Sequence, residues 1–386
     1  MKGANGVNGV YVIGVGMTAF GKHPDRLAAD LAAEAILGAL DDAGLRTVDI
    51  EAAWVGHVFQ GMAMGQRGLG AAGISGLPIT NVENACSSGS TAIYQAAMAI
   101  RAGAHDIVLA CGVELLSTKF RGALAPDETD IETQIGLTMP AVYAMRARRH
   151  MEQYGTTPRM LAAIASKNKF NASLNPLAQF KKPVSVDEVL AGRMIADPLH
   201  LHECAPVSDG AAAVVMVSAG KLAELGRTRA VRLAASALRS GKMEVGLPDM
   251  TVEDLTWRTA EAAYQEAGLG PEAIQLAEVH DCFSIAEATR IEGLRLYPRG
   301  EYPARVERGE ASLGGRLPVN TSGGLLGKGH PLGATGVAQV IEIVKQLRGE
   351  AGARQVPDAK VGLAHCRGGK ARGVEGTACT VNILTV

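Results

Sequence analysis

The sequence lacks a long apolar run, a block of like charge and the features of a signal peptide. No segment reaches the roughly 18 uninterrupted apolar residues of a membrane-spanning helix. Lys and Arg number 38 against 39 Asp and Glu, so we expect neither nucleic acid nor an acidic membrane surface as the main partner. The start, "MKGANGVNGVYVIGVG", has one Lys and no continuous apolar region. We therefore expect a cytoplasmic protein.

The six cysteines are dispersed singly, with no Cys-X-X-Cys pair. This spacing argues against a disulfide framework and a zinc ribbon, and it fits a reducing compartment. His and Cys residues also lack the paired spacing of metal ligands, so we expect neither a metal nor a permanently bound cofactor. The "GVG" at 14–16 belongs to no complete G-X-G-X-X-G, which disfavours a nicotinamide site.

What the chain does have is an alternation of strand-like and helix-like segments. Apolar residues make up 47% of the chain and charged residues 20%, as in an ordinary globular core. The pattern predicts strands at 9–16, 52–61 and 106–114, and a helix at 26–43. Such alternation indicates an α/β fold with a parallel or mixed sheet.

The second half of the chain repeats the order of the first. A strand, a helix that ends in Gly and a second strand recur. Gly44 and Gly268 end the two helices, and His57 and His280 lie in the strands that follow, at almost equal sequence offsets. Near-equal offsets for successive elements predict a duplicated βαβ core.

We assign residues 1–225 to the N-terminal half and 226–386 to the C-terminal half. Residues 118–205 are rich in Met, Lys, Arg and Asn and show no obvious sheet strand. We predict a helical insertion there, over one end of the sheet. Such insertions commonly hold a lid or a ligand site.

Cys86 lies in "NVENACSSGSTAIYQ", between a short strand-like segment and a long Ala-rich run. If 87–101 form a helix, the free N–H groups and the dipole at its N-terminus favour an anion and would stabilise a thiolate. The small residues Ser87, Ser88 and Gly89 leave room for a substrate. The alternative is a buried structural cysteine, and position alone leaves both interpretations open.

His330 lies in "SGGLLGKGHPLGATG", where a Gly-rich turn leads into a predicted helix. Pro331 fixes the chain after the histidine and can open that helix. The alternative is a histidine in a surface loop. The equivalent turn of the first half carries Cys86, so duplication would bring the two helix N-termini together.

His280 and Cys282 stand in "HDCFS", at the end of an apolar strand predicted at 276–284. Side chains two residues apart on a strand point to the same side, so both can face one pocket while Asp281 faces away. The alternative is that Cys282 packs in the core and His280 caps a turn.

Cys366, in "HCRGG" at a strand end, could offer a thiol, and the glycines after it could provide an N–H donor for an oxyanion hole. The alternative is an ordinary exit from a strand. His365 would point to the opposite face. Cys111 and Cys379, inside apolar strands, are assigned to the core, and the role of Cys204 is left open.

Four motifs, in this order, resemble the thiolase superfamily, and most closely its sterol-carrier-protein-type members from bacteria and archaea. They are "ENACSSGSTA", "MIADPLHLHECAPVSDGAAAVV", "EVHDCFSIAE" and "SGGLLGKGHPLGATG". The resemblance covers nearly the whole chain. It implies a thiolase fold, in which two duplicated βαβ-rich halves form five layers, α-β-α-β-α, with a helical loop-domain insertion.

The resemblance also implies a mechanism. His330 would take the proton of Cys86, whose thiolate would attack the keto carbon of a 3-oxoacyl-CoA. The backbone N–H groups of Cys86 and Gly368 would hold the oxyanion, and His280 and His330 would stabilise the departing acyl-CoA enolate. CoA, the co-substrate, would then remove the acyl group from Cys86.

One of two cysteines would protonate that enolate. The subgroup usually has His-Asn-X-Gly near the C-terminus, where this chain has "HCRGG". Cys366 thus occupies the position of the acid/base cysteine of other thiolases, while Cys282 is the subgroup's replacement. We favour Cys282, because the HDCF motif around it matches the subgroup. An inserted segment at 370–376 lengthens this loop.

The function implied is that of an acyl-CoA C-acyltransferase, in the degradative or the condensing direction. A retro-aldolase acting on a 3-hydroxyacyl-CoA is an alternative, although relatives with that role tend to replace the histidines by tyrosine. A non-catalytic scaffold subunit is another. The resemblance further implies a homodimer, with or without a small zinc-ribbon and OB-fold partner. The acyl group and the CoA-contacting residues are not readable from the sequence.

Overall fold

The computed structural model describes residues 9–122, 124, 130–242, 249–370 and 375–386. Residues 371–374, in the segment predicted to lengthen the C-terminal loop, lie outside these ranges. The described strands are β1 (Val10–Met17), β2 (Ala52–Gly56), β3 (Ile79–Val82), β4 (Ile107–Leu115), β5 (Met194–Ala196), β6 (Leu199–His200), β7 (Asp209–Ser218), β8 (Val231–Ser240), β9 (Leu276–Val279), β10 (Val361–Gly368) and β11 (Ala378–Thr385).

The described α-helices are α1 (Ala28–Ala43), α2 (Met64–Ala71), α3 (Ser88–Arg101), α4 (Ile131–Gln134), α5 (Met139–Tyr154), α6 (Pro158–Ser173), α7 (Val186–Ala191), α8 (Ala219–Leu225), α9 (Asp254–Ala267), α10 (Ser284–Gly293), α11 (Tyr302–Glu307), α12 (Gly324–Lys328) and α13 (Leu332–Leu347). No helix among these combines the length and the apolar character that a membrane crossing requires.

Nine of the described strands form one mixed sheet, in the order β3-β2-β4-β7-β1-β8-β11-β10-β9. β2 runs parallel to β3 and β4, and β9 runs parallel to β10. The other neighbouring pairs are antiparallel. The two halves of the chain meet where Tyr11 and Val12 of β1 pair with Arg232 and Val231 of β8. The predicted mixed α/β sheet is confirmed.

Elements of the two halves correspond in order and in packing. α1 packs on β1 and α9 packs on β8. Gly44 and Gly268 end these helices at φ 62° and 68°, in the left-handed region that glycine adopts readily. β3 has a shortened counterpart in the second half, where Val319 bridges Ala277 in parallel. The predicted duplication is confirmed, while the exact boundary between the halves stays a prediction.

α3 and α13 form the middle layer of the molecule. α3 contacts β2 and β4, whereas α13 contacts β4 and β10. Ile93 of α3 and Val337 of α13 are fully buried in the core between the two parts of the sheet. α1 and α2 cover the outer face of the first half, and α9 covers that of the second. The five layers agree with the predicted thiolase fold.

The two middle helices approach closely because glycines line their contact. A Cβ at Gly89 of α3 would lie 2.2 Å from the carbonyl oxygen of Gly333 in α13, and a Cβ at Gly112 of β4 would lie 2.0 Å from it. The buried Glu114 carboxylate joins this contact, since it accepts a 3.0 Å hydrogen bond from Gly333 N. The N-termini of α3 and α13 are thereby held together.

The region between β4 and β7 is largely helical, as predicted, with α4 to α7 and the short β5–β6 hairpin. One predicted strand is too long. The segment 276–284 is extended in the sheet only as far as Val279, because the chain then turns out of the sheet and α10 starts at Ser284. The Gly-rich turn before His330 also contains the short helix α12.

Candidate active site

Cys86 lies on a tight turn between β3 and α3. Ala85 before it has φ 48°, a left-handed conformation that residues other than glycine rarely adopt. Ser88, the first residue of α3, closes the turn, because its Oγ accepts from Asn84 N at 2.9 Å and donates to Ala85 O at 2.6 Å. Cys86 is thus presented just before the helix N-terminus, as predicted, and its side chain is partly exposed.

The end of β10 lies directly against this turn. A Cβ at Gly368 would lie 2.3 Å from Asn84 O and 3.1 Å from Cys86 N, so a larger residue would push the turn away. The main-chain amides of Gly369 and of Cys86 itself lower the pKa of the Cys86 thiol, against the effect of burial. The predicted role of Gly368 toward an oxyanion stays a prediction.

His330 lies between α12 and α13 and is only 8% exposed, so it is not a surface-loop histidine. Its Nδ1 lies 2.8 Å from Thr335 Oγ1, and that hydroxyl donates to Pro331 O at 2.8 Å. Since the Thr335 proton is used, Oγ1 accepts from Nδ1–H, and Nε2 of the neutral ring carries a free lone pair. His330 N also donates to Ser208 Oγ at 2.9 Å. The ring is held with its basic nitrogen free.

His280 links the cysteines of the site to His330. The two imidazole rings meet edge to face, with centroids 4.9 Å apart. His280 Nδ1 lies 3.4 Å from Cys366 Sγ, which also donates to Cys86 O at 3.1 Å. The ligand-type atoms of Cys86, His280 and His330 all lie within 4.8 Å of one another. Such atoms can bind zinc, but the expectation of no metal stays a prediction.

Cys282 lies beside His280, on the turn between β9 and α10. Its Sγ accepts from Arg290 Nη1 at 3.5 Å, and the same nitrogen donates to the His280 carbonyl oxygen. Asp281 faces the other way, where it accepts from Asn168 at 2.7 Å and from a main-chain N–H of α12 at 2.6 Å. As predicted, His280 and Cys282 face one side and Asp281 faces the other, although all three follow strand β9 instead of lying in it.

Burial has the largest effect on the pKa values of the thiol and the two imidazoles of the site. It raises the pKa of the Cys86 thiol to about 12, although nearby main-chain amides and Arg290 oppose this. It lowers the pKa of His330 to about 3 and holds the pKa of His280 well below its usual range, in both cases with a further lowering by Arg290. The expectation that the helix N-terminus stabilises a thiolate stays a prediction, since burial and the nearby main-chain amides act on the pKa of the Cys86 thiol in opposite directions.

The residues that the sequence left out of the site lie elsewhere. His365 Nε2 meets Thr256 Oγ1 at 3.1 Å on the far face of β10. Cys111 and Cys379 are fully buried in β4 and β11. Cys204 is partly exposed and packs against the core of the second half.

Four positioning residues were missed from the sequence: Thr335, Ser208, Glu114 and Arg290. Thr335 had a readable signal, since a hydroxyl in the first turn of a helix can bond to the residues before it. Arg290 had none, because its contacts form only in the folded chain. Ser208 and Glu114 act through long-range contacts, which leave no local signal.

Residues 10–220 match the family described as "Thiolase, N-terminal domain", and residues 239–376 match "Thiolase C-terminal domain-like". The chain belongs to the thiolase family. The resemblance drawn from the four motifs is thus confirmed, as are the fold and the class of enzyme, an acyltransferase.

Individual thiolases and a solved complex are similar over nearly the whole chain. Acetyl-CoA acetyltransferase of Methanothermobacter thermautotrophicus is 44% identical over 370 residues, which cover 93% of this chain and 96% of the relative. Benzoylsuccinyl-CoA thiolase subunit BbsB of Thauera aromatica is 40% identical over 380 residues, which cover 96% of this chain and 98% of the relative. The solved structure titled "Ltp2-ChsH2(DUF35) aldolase" superposes with TM-score 0.84 at 26% identity and 99% coverage of both chains.

Proposed function

We propose that this thiolase cleaves a 3-oxoacyl-CoA with CoA through an acyl group carried on Cys86, or catalyses the reverse Claisen condensation. The convergence of Cys86, His280 and His330 within 4.8 Å is the observation that supports this most directly. Claisen cleavage needs a sulfur nucleophile, a neutral base beside it and hydrogen-bond donors for two oxyanions. CoA enters as a co-substrate, and the chemistry requires no resident cofactor.

The first step joins proton transfer to nucleophilic attack. His330 Nε2 accepts the thiol proton as Cys86 Sγ bonds to the keto carbon of the substrate. Negative charge then passes to the carbonyl oxygen, where the N–H groups of Cys86 and Gly368 or Gly369 stabilise it. An unpaired thiolate in this buried site would be costly, so the concerted path avoids it.

Collapse of the tetrahedral adduct breaks the carbon–carbon bond and releases an acyl-CoA enolate. His280 and the protonated His330 hold its thioester oxygen while a cysteine supplies a proton to its carbon. CoA then attacks the acyl group on Cys86, forms the second acyl-CoA and restores the thiol.

We assign the acid to Cys282 and keep Cys366 as the second candidate. An acid that loses its proton inside a protein leaves a charge that must be compensated. The Arg290 guanidinium donates to Cys282 Sγ at 3.5 Å, whereas Cys366 Sγ faces Cys86 O and His280 Nδ1. Burial raises the pKa of Cys366. At Cys282, the Arg290 guanidinium compensates the charge that proton loss leaves on the sulfur.

Retro-aldol cleavage of a 3-hydroxyacyl-CoA is the second candidate, supported by the likeness to the structure whose title names an aldolase. That reaction requires neither acyl transfer to Cys86 nor a second CoA. The close Cys86–His330 pair favours thiolysis. Incubation with 3-hydroxyacyl-CoAs in the absence of CoA separates the two, since only a retro-aldolase would release an aldehyde or ketone.

We also propose a homodimer that works with a small zinc-ribbon and OB-fold partner. BbsB is named as a subunit, and the aldolase title pairs Ltp2 with ChsH2(DUF35). Co-purification from the native source tests this idea. A homodimer that is fully active alone would contradict the need for a partner.

The reaction itself is tested by CoA-dependent cleavage across short, long, branched and aromatic 3-oxoacyl-CoAs. Cys86→Ala should abolish turnover of every substrate that the wild type accepts. Cys111→Ala is the matched control, because Cys111 is a fully buried cysteine of β4 outside the site. Full activity of Cys86→Ala would exclude the proposed mechanism.

A further inference from the structure

Arg290 lies at the back of the site and contacts two of its members. It belongs to α10 and is only 1% exposed. Nη1 donates both to the His280 carbonyl oxygen and to Cys282 Sγ, and Nη2 donates to the Tyr143 hydroxyl at 2.6 Å. The guanidinium therefore joins the turn that carries His280 and Cys282 to α5 of the inserted region.

No carboxylate within the described ranges forms an ion pair with Arg290. Its buried neighbours Arg146 and Arg367 pair with Glu253. Burial opposes the charge of Arg290, but Tyr143, Cys282 and Glu253 together raise its pKa, so it stays protonated. A cation fixed in the protein interior is costly unless an anion compensates it.

The groups that contact the Arg290 side chain differ in their ability to take up negative charge. Burial raises the pKa of Tyr143 to about 12, so this residue remains a neutral phenol. The His280 carbonyl carries only a dipole. Cys282 is the remaining contact, and its sulfur becomes an anion whenever the thiol gives up its proton.

We propose that Arg290 is a positioning residue for thiolysis, which holds the His280–Cys282 turn and compensates the charge that Cys282 acquires when it protonates the enolate. This inference rests on the proposed function. In that step a C–H bond forms from the enolate electron pair, the S–H bond of Cys282 breaks, and its electron pair stays on Sγ facing Arg290 Nη1. The proton of the incoming CoA thiol later restores Cys282.

The proposal divides the reaction into a part that depends on Arg290 and a part that depends on it much less. Protonation or deprotonation of the acyl-CoA α-carbon uses Cys282, which Arg290 contacts. Acetyl exchange between acetyl-CoA and CoA protonates no enolate, so Cys282 keeps its proton and only Cys86, His330 and the CoA sulfur pass a proton. The Arg290 side chain shares no hydrogen bond with Cys86 or His330 in the described chain. Two half-reactions therefore report on the two parts, with acetyl-CoA as the probe.

The experiment measures both half-reactions in one sample of each variant. Arg290→Gln should slow exchange of the acetyl-CoA α-hydrogens with D2O by about 10- to 100-fold, the range for loss of a charge-assisted hydrogen bond. Acetyl transfer from Cys86 to labelled CoA should fall at least about tenfold less. Arg290→Lys, which keeps the charge without the two-point contact, should regain part of the exchange rate. The ratio of the two rates does not depend on how much of the sample is folded.

Arg146→Gln is the matched control. Arg146 is also 1% exposed and pairs with the buried Glu253, and its hydrogen bonds in the described chain go to Glu253 and Val252, not to Cys282 or His280. Its ratio of exchange to transfer should stay at the wild-type value. In a Cys282→Ala background, Arg290→Gln should slow exchange no further.

The proposal is overturned if Arg290→Gln slows both half-reactions equally, if Arg146→Gln changes the ratio as much, or if the double variant loses a further tenfold. Failure of the proposed function has a different signature. A wild type that cleaves no 3-oxoacyl-CoA with CoA would reject thiolysis itself. A wild type that cleaves it, with normal exchange in Arg290→Gln, would reject the Arg290 role alone.

Discussion

At the residue scale, the site brings a thiol and two imidazoles together without charge. Burial raises the pKa of Cys86 and lowers the pKa values of His280 and His330, so a resting thiolate–imidazolium pair is not favoured. Hydrogen bonds then determine which nitrogen acts as the base. The motifs predict these residues as the site, but their protonation depends on the depth of burial, which a sequence pattern does not contain.

The reactivity of Cys86 toward iodoacetamide should therefore increase with pH far into the alkaline range. The folded-state pKa is raised, so the thiolate fraction is small near pH 7 and grows about tenfold per pH unit. Peptide mass spectrometry of the alkylated enzyme measures the rate at this residue alone. A rate that is already constant by pH 8 would mean that the thiolate is present at rest.

Removal of the Thr335 hydroxyl should impair His330 without unfolding the protein. Thr335→Val keeps the shape but leaves Nδ1–H of His330 without its acceptor, so the tautomer with the basic Nε2 loses its preference. We expect kcat/KM for thiolysis to fall about tenfold, the cost of one lost hydrogen bond. Thr335→Ser is the control and should keep most of the activity. Equal activity of the Val and Ser variants would remove Thr335 from the account.

The two candidate acids can be ranked by parallel substitution. Cys282→Ala should reduce kcat by about 100-fold or more, in the range for a general acid, and Cys366→Ala should reduce it less. The reason is that Arg290 lies beside the sulfur of Cys282, while Cys366 donates to a carbonyl oxygen. Steady-state thiolysis by both variants is the measurement. A silent Cys282→Ala would reverse the ranking.

At the scale of elements, the close contact of α3 and α13 positions the site. The carbonyl of Gly333 fits against Gly89 and Gly112, where any side chain would collide with backbone. Since Cys86 precedes α3 and His330 precedes α13, this contact sets the distance between nucleophile and base. The glycines in both motifs were visible in the sequence, but the partner of each glycine was not.

Gly89→Ala should therefore separate the two helices. Its Cβ would lie 2.2 Å from Gly333 O, and the required shift should cost about 1–3 kcal/mol of unfolding free energy and most of the activity. Gly70→Ala is the control, because a Cβ at this position of α2 meets nothing within 4 Å, and alanine favours a helix. Denaturant unfolding and thiolysis assays check both variants. A stable, fully active Gly89→Ala would contradict this role of the contact.

Regular elements were predictable where their pattern extends over many residues. The segment 106–114 was predicted as a strand and forms β4, and α1 ends before Gly44 as expected. The strand predicted at 276–284 was too long. Its apolar residues continue into a turn that is buried but forms no pairs in the sheet. Apolar character reports burial, and it does not distinguish a strand from a buried turn.

At the scale of the whole molecule, duplication explains why the site lies where it does. Each half contributes a turn before a central helix, with Cys86 from the first and His330 from the second. β9 and β10 of the second half add His280 and Cys366 at the adjoining strand ends. The order of motifs predicted this meeting of halves. Arg290 escaped prediction because its role depends on three contacts that only the folded chain creates.

The central claim, acyl transfer through Cys86, is tested most directly by trapping the intermediate. The enzyme is mixed with a 3-oxoacyl-CoA that it turns over, in the absence of CoA, then quenched in acid and digested for mass spectrometry. We predict that the Cys86 peptide gains the mass of the acyl group, that one acyl-CoA is released per modified site, and that added CoA removes the modification. Cleavage with Cys86 unmodified, or with the acyl group on Cys282 or Cys366 instead, would contradict the account.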